Sequence, residues 1–233
     1  MICGVNDDAG GPTSDGRREL VARALVVELA NGRRLLDSVD LVVEPGRLTA
    51  IVGPSGSGKS TLLNALCGIR PVAQGAVLLD GQDIYRSFDG LRHQIGHVPQ
   101  DEVLHTQLTL ARALAYTAAL RFGNEVAPAA RAARVGEVLD ELGLGAHGDV
   151  AIERLSGGQQ QRASVGLELL TRPTMLFLDE PTAGLDPGYE RSVTRLFREL
   201  ADGGRMVVVV THAVASLDIY DTVVFLAPRG SPT

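Results

Sequence analysis

The stretch Gly53-Pro-Ser-Gly-Ser-Gly-Lys-Ser-Thr61 constrains this chain more than any other, because glycines, one lysine and a hydroxyl stand in the order that a chain of phosphates requires. Gly53, Gly56 and Gly58 permit a tight turn with backbone N–H groups facing inward. The apolar, partly β-branched run Leu48–Val52 before them predicts a buried strand, and residues 60–66 behind them have helical spacing. The loop therefore joins a strand to a helix N-terminus, whose positive dipole end adds to an anion-binding nest. In such a cradle, completed by Pro54, Ser55, Ser57 and Thr61, Lys59 reaches the β- and γ-phosphates and the Ser60 hydroxyl ligates Mg²⁺. Of the 22 lysines and arginines, Lys59 is the one lysine. Arginine serves wherever either cation will do, and lysine stands where a compact ammonium is needed and a planar guanidinium would not fit.

Residues 1–18, rich in Gly, Asp and Ser, predict a disordered leader. From 20 to 43 two apolar segments flank Asn31-Gly32, a hairpin signal, and Pro45-Gly46 turns the chain into the strand before the loop. Gly68 and Pro71 end the following helix. Residues 76–79, followed by Asp80-Gly81, predict a further edge strand and turn, and residues 95–98 a short strand delivering Pro99-Gln100-Asp101-Glu102. The period then changes. Thr109 is placed to cap a helix carrying Leu110, Leu114, Ala118 and Phe122, and Pro128 to start another carrying Val135, Leu139 and Leu142 before Gly143. Strand signals return at 175–178, 206–210 and 222–226, with a helix between the first two that Asp186 caps and Pro187 opens. The expected fold is α/β: a P-loop NTPase core with a mostly parallel sheet and helices on both faces, an antiparallel β subdomain, and a helical lobe inserted at about 101–170 of a domain spanning 19–233.

A chain of 233 residues with 45% hydrophobic content has room for one large core. The net charge is −6 and no basic cluster exceeds Arg17-Arg18 or Arg33-Arg34, which argues against a nucleic-acid surface. No apolar run approaches the roughly 20 residues of a membrane span, and residues 1–18 lack the apolar region of a secretory signal. Cys3 and Cys67 show no ligand-type spacing and read as unpaired thiols in a reducing compartment.

Five further places in the chain carry a family resemblance. Leu155-Ser-Gly-Gly-Gln159 matches the signature of the ATP-binding cassette, and from about Leu20 onward the chain resembles the nucleotide-binding domain of an ABC transporter. Physically, Ser156, Gly157 and Gly158 open the N-terminus of a second helix to phosphate, although a tripeptide of this kind is also an ordinary helix cap. Met175-Leu-Phe-Leu-Asp-Glu180 resembles the Walker B strand. The resemblance implies that Asp179 holds Mg²⁺ and Glu180 polarises the attacking water as general base. It makes His212 the switch histidine, Gln100 the Q-loop residue that touches metal and water, and Asp186, in Ala183-Gly-Leu-Asp186, the D-loop contact to the opposite site. His93, His97, His105 and His147 show no metal-ligand spacing and read as surface or packing residues.

Within the family, residues 98–105, 108–110, 118–121, 162–170 and 226–230 look like the G-type exporters, whose bacterial members are often cassettes fused to a membrane domain, sometimes with a forkhead-associated domain upstream. Many cassettes stack adenine on an aromatic about two dozen residues before the loop; here Ala30 aligns near that position and the first aromatic of the chain is Tyr85. The resemblance implies an ATPase that binds two Mg-ATP between two head-to-tail copies and drives a transmembrane domain, in the same or a separate chain, at the cytoplasmic face of the membrane. Family members usually continue with more helix after the strand at 222–226, so the resemblance implies a domain excised from a longer transporter. A soluble cassette acting on ribosomes or nucleic acid is the alternative; such proteins carry paired cassettes, coiled-coil insertions, zinc cysteines or basic arms, none of which stands in this sequence.

Overall fold

The computed structural model describes residues 18–100, 104–123 and 125–227. The leader expected over 1–18 lies outside them except for Arg18, as do Cys3, Asp101, Glu102 and the last residues of the chain. Strands β1 (Leu20–Glu28), β2 (Arg34–Val43) and β3 (Leu48–Val52) lead into helix α1 (Lys59–Leu66). They are followed by β4 (Gln74–Leu79), β5 (Gln82–Asp83), the single turn α2 (Phe88–Leu91) and β6 (Ile95–Val98). Helices α3 (Leu110–Phe122), α4 (Pro128–Glu141) and α5 (Gly157–Leu169) come next, then β7 (Met175–Asp179), α6 (Pro187–Asp202), β8 (Met206–Val210) and β9 (Thr222–Phe225).

Five strands form a wholly parallel sheet in the order β6-β7-β8-β3-β9, and the other four an antiparallel sheet ordered β2-β1-β4-β5. Every residue of β3, β7 and β8 is buried, as befits parallel strands covered on both faces. Side chains alternate between two cores. Met175, Phe177, Met206, Val208 and Val210 join Leu62, Leu63 and Leu66 of α1 and the inner face of the antiparallel sheet. Leu176, Leu178, Val207 and Val209 join α6 and the three helices α3, α4 and α5. By the same alternation Asp179, two beyond Phe177, falls on the α1 side.

Local signals explain most boundaries. The β1–β2 turn closes with Leu29 N–H donating to the Arg33 carbonyl at 2.8 Å around Gly32, at a φ of 80°. Thr109 caps α3, its hydroxyl accepting from Arg112 N–H at 3.4 Å, and Pro128 occupies the first turn of α4. The expectation of an edge strand at 76–79 fails: β4 lies between β1 and β5. Asp80 and Gly81 both take positive φ, 51° and 79°, which makes them a two-residue hairpin turn that folds β5 onto that edge. Asp186 also departs from expectation. It occupies the cap position of α6, but its side chain makes no capping bond. Pro187 has no N–H to satisfy, and the Asp186 carbonyl accepts the first intrahelical bond from Glu190 N–H at 2.9 Å.

The helical lobe packs closely at Gly166. A Cβ there would stand 2.6 Å from Leu142 Cδ1 and 3.3 Å from Val138 Cγ1. Gly166→Val is therefore expected to destabilise the fold by about 1–3 kcal/mol through overpacking, seen as a lower denaturant midpoint at unchanged slope; an unchanged midpoint would contradict this packing.

Candidate active site

Strand order decides which loops meet. Gly53 follows β3, Gln100 follows β6, Asp179 and Glu180 end β7, and His212 follows β8, so four segments remote in sequence emerge from the same end of adjacent parallel strands. That end is where open parallel sheets place their ligand sites.

The cradle is built by glycine. Gly53 has a φ of 156°, and a Cβ there would lie 2.4 Å from the Leu226 carbonyl oxygen and 2.8 Å from Ser57 Oγ. Gly58, left-handed at 97°, leads into α1 with the Leu35 carbonyl oxygen 3.1 Å from where its Cβ would be, which seats the start of β2 against the loop. Lys59 is 5% exposed, and its Nζ donates to the carbonyls of Gly53 and Pro54, both at 3.1 Å. The ammonium thus lies across the loop. Ser57 Oγ is buried without a partner inside the turn, an orphaned polar atom of the sort a ligand satisfies. Pro54, Ser55 and Gly56 are exposed, and Ser60 and Thr61 half-buried in the first turn of α1.

Ser60 Oγ donates to Asp179 Oδ1 at 3.0 Å. Burial raises the Asp179 carboxyl above its ordinary range, the Ser60 bond works in the opposite direction, and the Glu180 charge raises it further. Glu180 has a φ of 50°, rare for a residue with a side chain. Its N–H donates to the Val210 carbonyl at 3.0 Å, and its carboxylate is held from two sides, Oε2 accepting from Gln100 Nε2 at 3.2 Å and Oε1 lying 2.7 Å from His212 Nε2. A strained residue held by surrounding structure is common at functional sites. Strand β6, which leads into Gln100, is tied to the helical lobe by Glu168 of α5, which pairs with Arg121 of α3 and accepts from His97 N–H at 3.2 Å.

The stretch Leu155–Gln159 stands apart. Among the described residues no hydrogen bond joins it to the loop at 53–61. Ser156 and Gln159 form a capping box on α5: Ser156 Oγ accepts from Gln159 N–H at 3.4 Å, and Gln159 Oε1 accepts from Ser156 N–H at 2.9 Å. The spacing of Ser156 and Gln159 could have revealed this box. Leu155 is buried, Ser156 half-buried and Gly157 exposed, so the helix start opens to solvent. Gly158 is buried beneath Tyr189, 3.3 Å from where its Cβ would be, and Gly157 lies against Leu185. Asp186 beside them is exposed. Among the other histidines, His93 and His105 are exposed; His97 is packed on β6, where burial lowers its pKa. His147 was not legible as a neighbour of this stretch, yet its Nε2 is 3.0 Å from Gln159 Nε2.

A family model described as "ABC transporter" matches residues 36–183. This chain belongs to the ABC transporter family. It is that family's ATP-binding, ATP-hydrolysing domain. The cassette is 46% identical over 91% of its length to "ABC transporter ATP-binding/permease protein Rv1747" of Mycobacterium tuberculosis, and 38% identical over 86% to "ABC transporter G family member 21" of Arabidopsis thaliana. It spans 24% and 30% of those proteins. Among solved structures, cbiO1 of Clostridium perfringens, described as part of the ABC transporter complex cbiONQ, matches with a TM-score of 0.81 at 26% identity, covering 90% of this chain and 85% of that one. The bacterial transporter cassette MJ0796, solved as a dimer, matches at 0.76 and 27%, covering 89% and 94%.

Cys67, at the end of α1, is a buried free thiol whose pKa burial raises to about 12, which leaves it protonated and chemically quiet. No helix among the described residues is long and apolar enough to cross a membrane.

Proposed function

We propose that this cassette drives a transmembrane domain of the G-type class by binding and hydrolysing ATP between two copies of itself. The observation that carries the reading is the convergence of Lys59, Ser60, Gln100, Asp179, Glu180 and His212 at one end of the parallel sheet. Lys59, once drawn from the Gly53 and Pro54 carbonyls, is placed to meet the β- and γ-phosphates, and the amides of residues 53–61 to cradle them. Glu180 is the general base for the attacking water, with Gln100 and His212 fixing its carboxylate. Gly157, Gly158, Gln159 and the Ser156 hydroxyl, and with them Asp186, face the nucleotide held by the partner.

Asp179 and Ser60, with Gln100, are the groups that would hold Mg²⁺. Among the described residues no cluster of three His, Cys, Asp or Glu is able to hold a metal. A single carboxylate beside a hydroxyl nonetheless fits Mg²⁺, which takes one or two carboxylates and completes its shell with waters and substrate phosphates. When bound, the ion neutralises phosphate charge in the transition state. A cation there would also favour the ionised form of Asp179 that burial opposes. Release of phosphate from ATP by the purified chain at high protein concentration, dependent on Mg²⁺, tests the reading; no release under those conditions would refute it.

A groove of about 600 Å³ runs between residues 104–108 and α3, with Leu104, Leu108, Tyr116, Leu120 and Leu167 on its walls. Tyr116 and Leu120 are 51% and 85% exposed. One of its walls is residues 104–108, soon after Gln100 in the chain, which supports it as the seat of the membrane partner, and the cassette as a peripheral component on the cytoplasmic face.

Ala30 is exposed in the β1–β2 turn, while Tyr85 is occupied elsewhere, its hydroxyl donating to the carbonyls of Ala65 and Arg70. An aromatic contact adds about 0.5–1.5 kcal/mol beyond area burial. Weak ATP binding with modest preference over GTP is expected, and Ala30→Tyr is expected to tighten ATP by about 2- to 10-fold in a fluorescent-nucleotide titration. Tight, adenine-selective binding by the parent chain would overturn this.

A further inference from the structure

The signature turn carries a relay of side chains that its sequence does not announce. Ser156 N–H can only donate, so the atom of Gln159 facing it at 2.9 Å is Oε1. The amide NH₂ therefore faces His147 Nε2 at 3.0 Å. That NH₂ can also only donate, which makes His147 Nε2 the acceptor and places the ring proton on Nδ1, a nitrogen that is buried and without a partner. An imidazole that leaves one donor unsatisfied in order to offer its other nitrogen is held in place by the rest of the structure. His147 N–H donates to the Leu144 carbonyl at 2.8 Å, and its carbonyl accepts from Val150 N–H at 3.0 Å. The same segment is fastened to the start of α3, where Ala111 and Leu110 donate to the carbonyls of Gly148 and Val150 at 2.9 and 3.1 Å.

The two halves of the Ser156 cap are unequal. The Ser156 hydroxyl is 3.4 Å from Gln159 N–H, at the outer limit of a hydrogen bond, whereas the return contact from Ser156 N–H is 2.9 Å. The hydroxyl only accepts in this weak contact, so its own proton is left to donate to a phosphate oxygen, and the return contact keeps the turn in place when it does. Gln159 can hold Ser156 only if its own amide is held.

We infer that His147 is a positioning residue for the composite nucleotide site: by accepting from Gln159 it fixes the turn that presents the Ser156 hydroxyl and the first amides of α5 to the nucleotide of the partner. This rests on the proposed sandwich of nucleotide between two copies. It predicts a loss confined to closure of the dimer, because His147 takes no part in the cradle at 53–61.

The test uses the full chain with Glu180→Gln, titrated with Mg-ATP and followed by sedimentation for dimer and by a fluorescent nucleotide for binding to the monomer. Adding His147→Ala is expected to raise the ATP needed for dimerisation by about 3- to 10-fold, the effect of one lost hydrogen bond, with monomer binding unchanged. His147→Gln, whose side-chain oxygen lies as many bonds from Cα as Nε2 does, is expected to restore dimerisation. Dimerisation of His147→Ala at the parent ATP concentration would overturn the inference, as would failure of His147→Gln to improve on it. Independently, a ¹⁵N spectrum of the histidine rings is expected to show the His147 proton on Nδ1 in the folded chain; a proton on Nε2 overturns the relay. If Glu180→Gln alone does not dimerise, the functional reading falls, and the ring spectrum still decides the role of His147.

Discussion

Replacing Glu180 by Gln is expected to abolish turnover while leaving ATP bound. The substitution preserves shape: the amide oxygen can still accept from Gln100 Nε2, now 3.2 Å from Glu180 Oε2, and the new NH₂ faces His212 Nε2, now 2.7 Å from Oε1. What disappears is the negative charge that takes the proton of the attacking water. General-base catalysis contributes about 10²- to 10⁴-fold, so phosphate release is expected to fall by at least about a hundredfold. Because ATP then persists, the variant is expected to accumulate as a dimer by sedimentation. Turnover at the parent rate would remove Glu180 from the role of base.

Lys59 is expected to show the second large effect, and to be intolerant even of arginine. Its Nζ fits between the Gly53 and Pro54 carbonyls in a site only 5% exposed. A guanidinium is broader, planar and fixed in its donor directions, so it cannot take that seat or swing from it to phosphate. Loss of a charge-assisted hydrogen bond amounts to about 1.5–3 kcal/mol, and both Lys59→Ala and Lys59→Arg are expected to bind ATP roughly 10- to 150-fold more weakly. The arginine variant is the informative one. If it retained parent affinity, the single lysine of a chain otherwise furnished with arginine would have no chemical explanation.

How much of this site the sequence reveals depends on how its residues are distributed. The cradle is legible because its chemistry is contiguous: glycines that permit the turn, then lysine and serine at the helix start. Glu180, Gln100 and His212 are legible only through family resemblance, since they stand at the ends of the neighbouring strands β6, β7 and β8, which the helical lobe and α6 separate in sequence, and they meet the loop at 53–61 only because β3 is inserted between β8 and β9. Nothing in local spacing encodes that order. Periodicity located α3 and α4 because each buries one face, and caps such as Thr109 fixed their ends. The reading failed where a side chain had two options. Asp186 sits where a capping aspartate should, but its side chain makes no capping bond and the residue is exposed. Asp80-Gly81 signals a turn, but nothing in the dipeptide tells that it folds a two-residue strand over the edge of β4. His147 shows no motif at all, because its partner is Gln159 across a turn and the contact depends on which way an amide faces.

The direct test of a nucleotide shared between two copies is a crystal structure of the Glu180→Gln chain with Mg-ATP. Two chains head to tail are expected, each γ-phosphate touched by Lys59 of one and by Ser156 of the partner subunit. A γ-phosphate enclosed only by groups of its own chain, with the Leu155–Gln159 turn left in solvent, would contradict it.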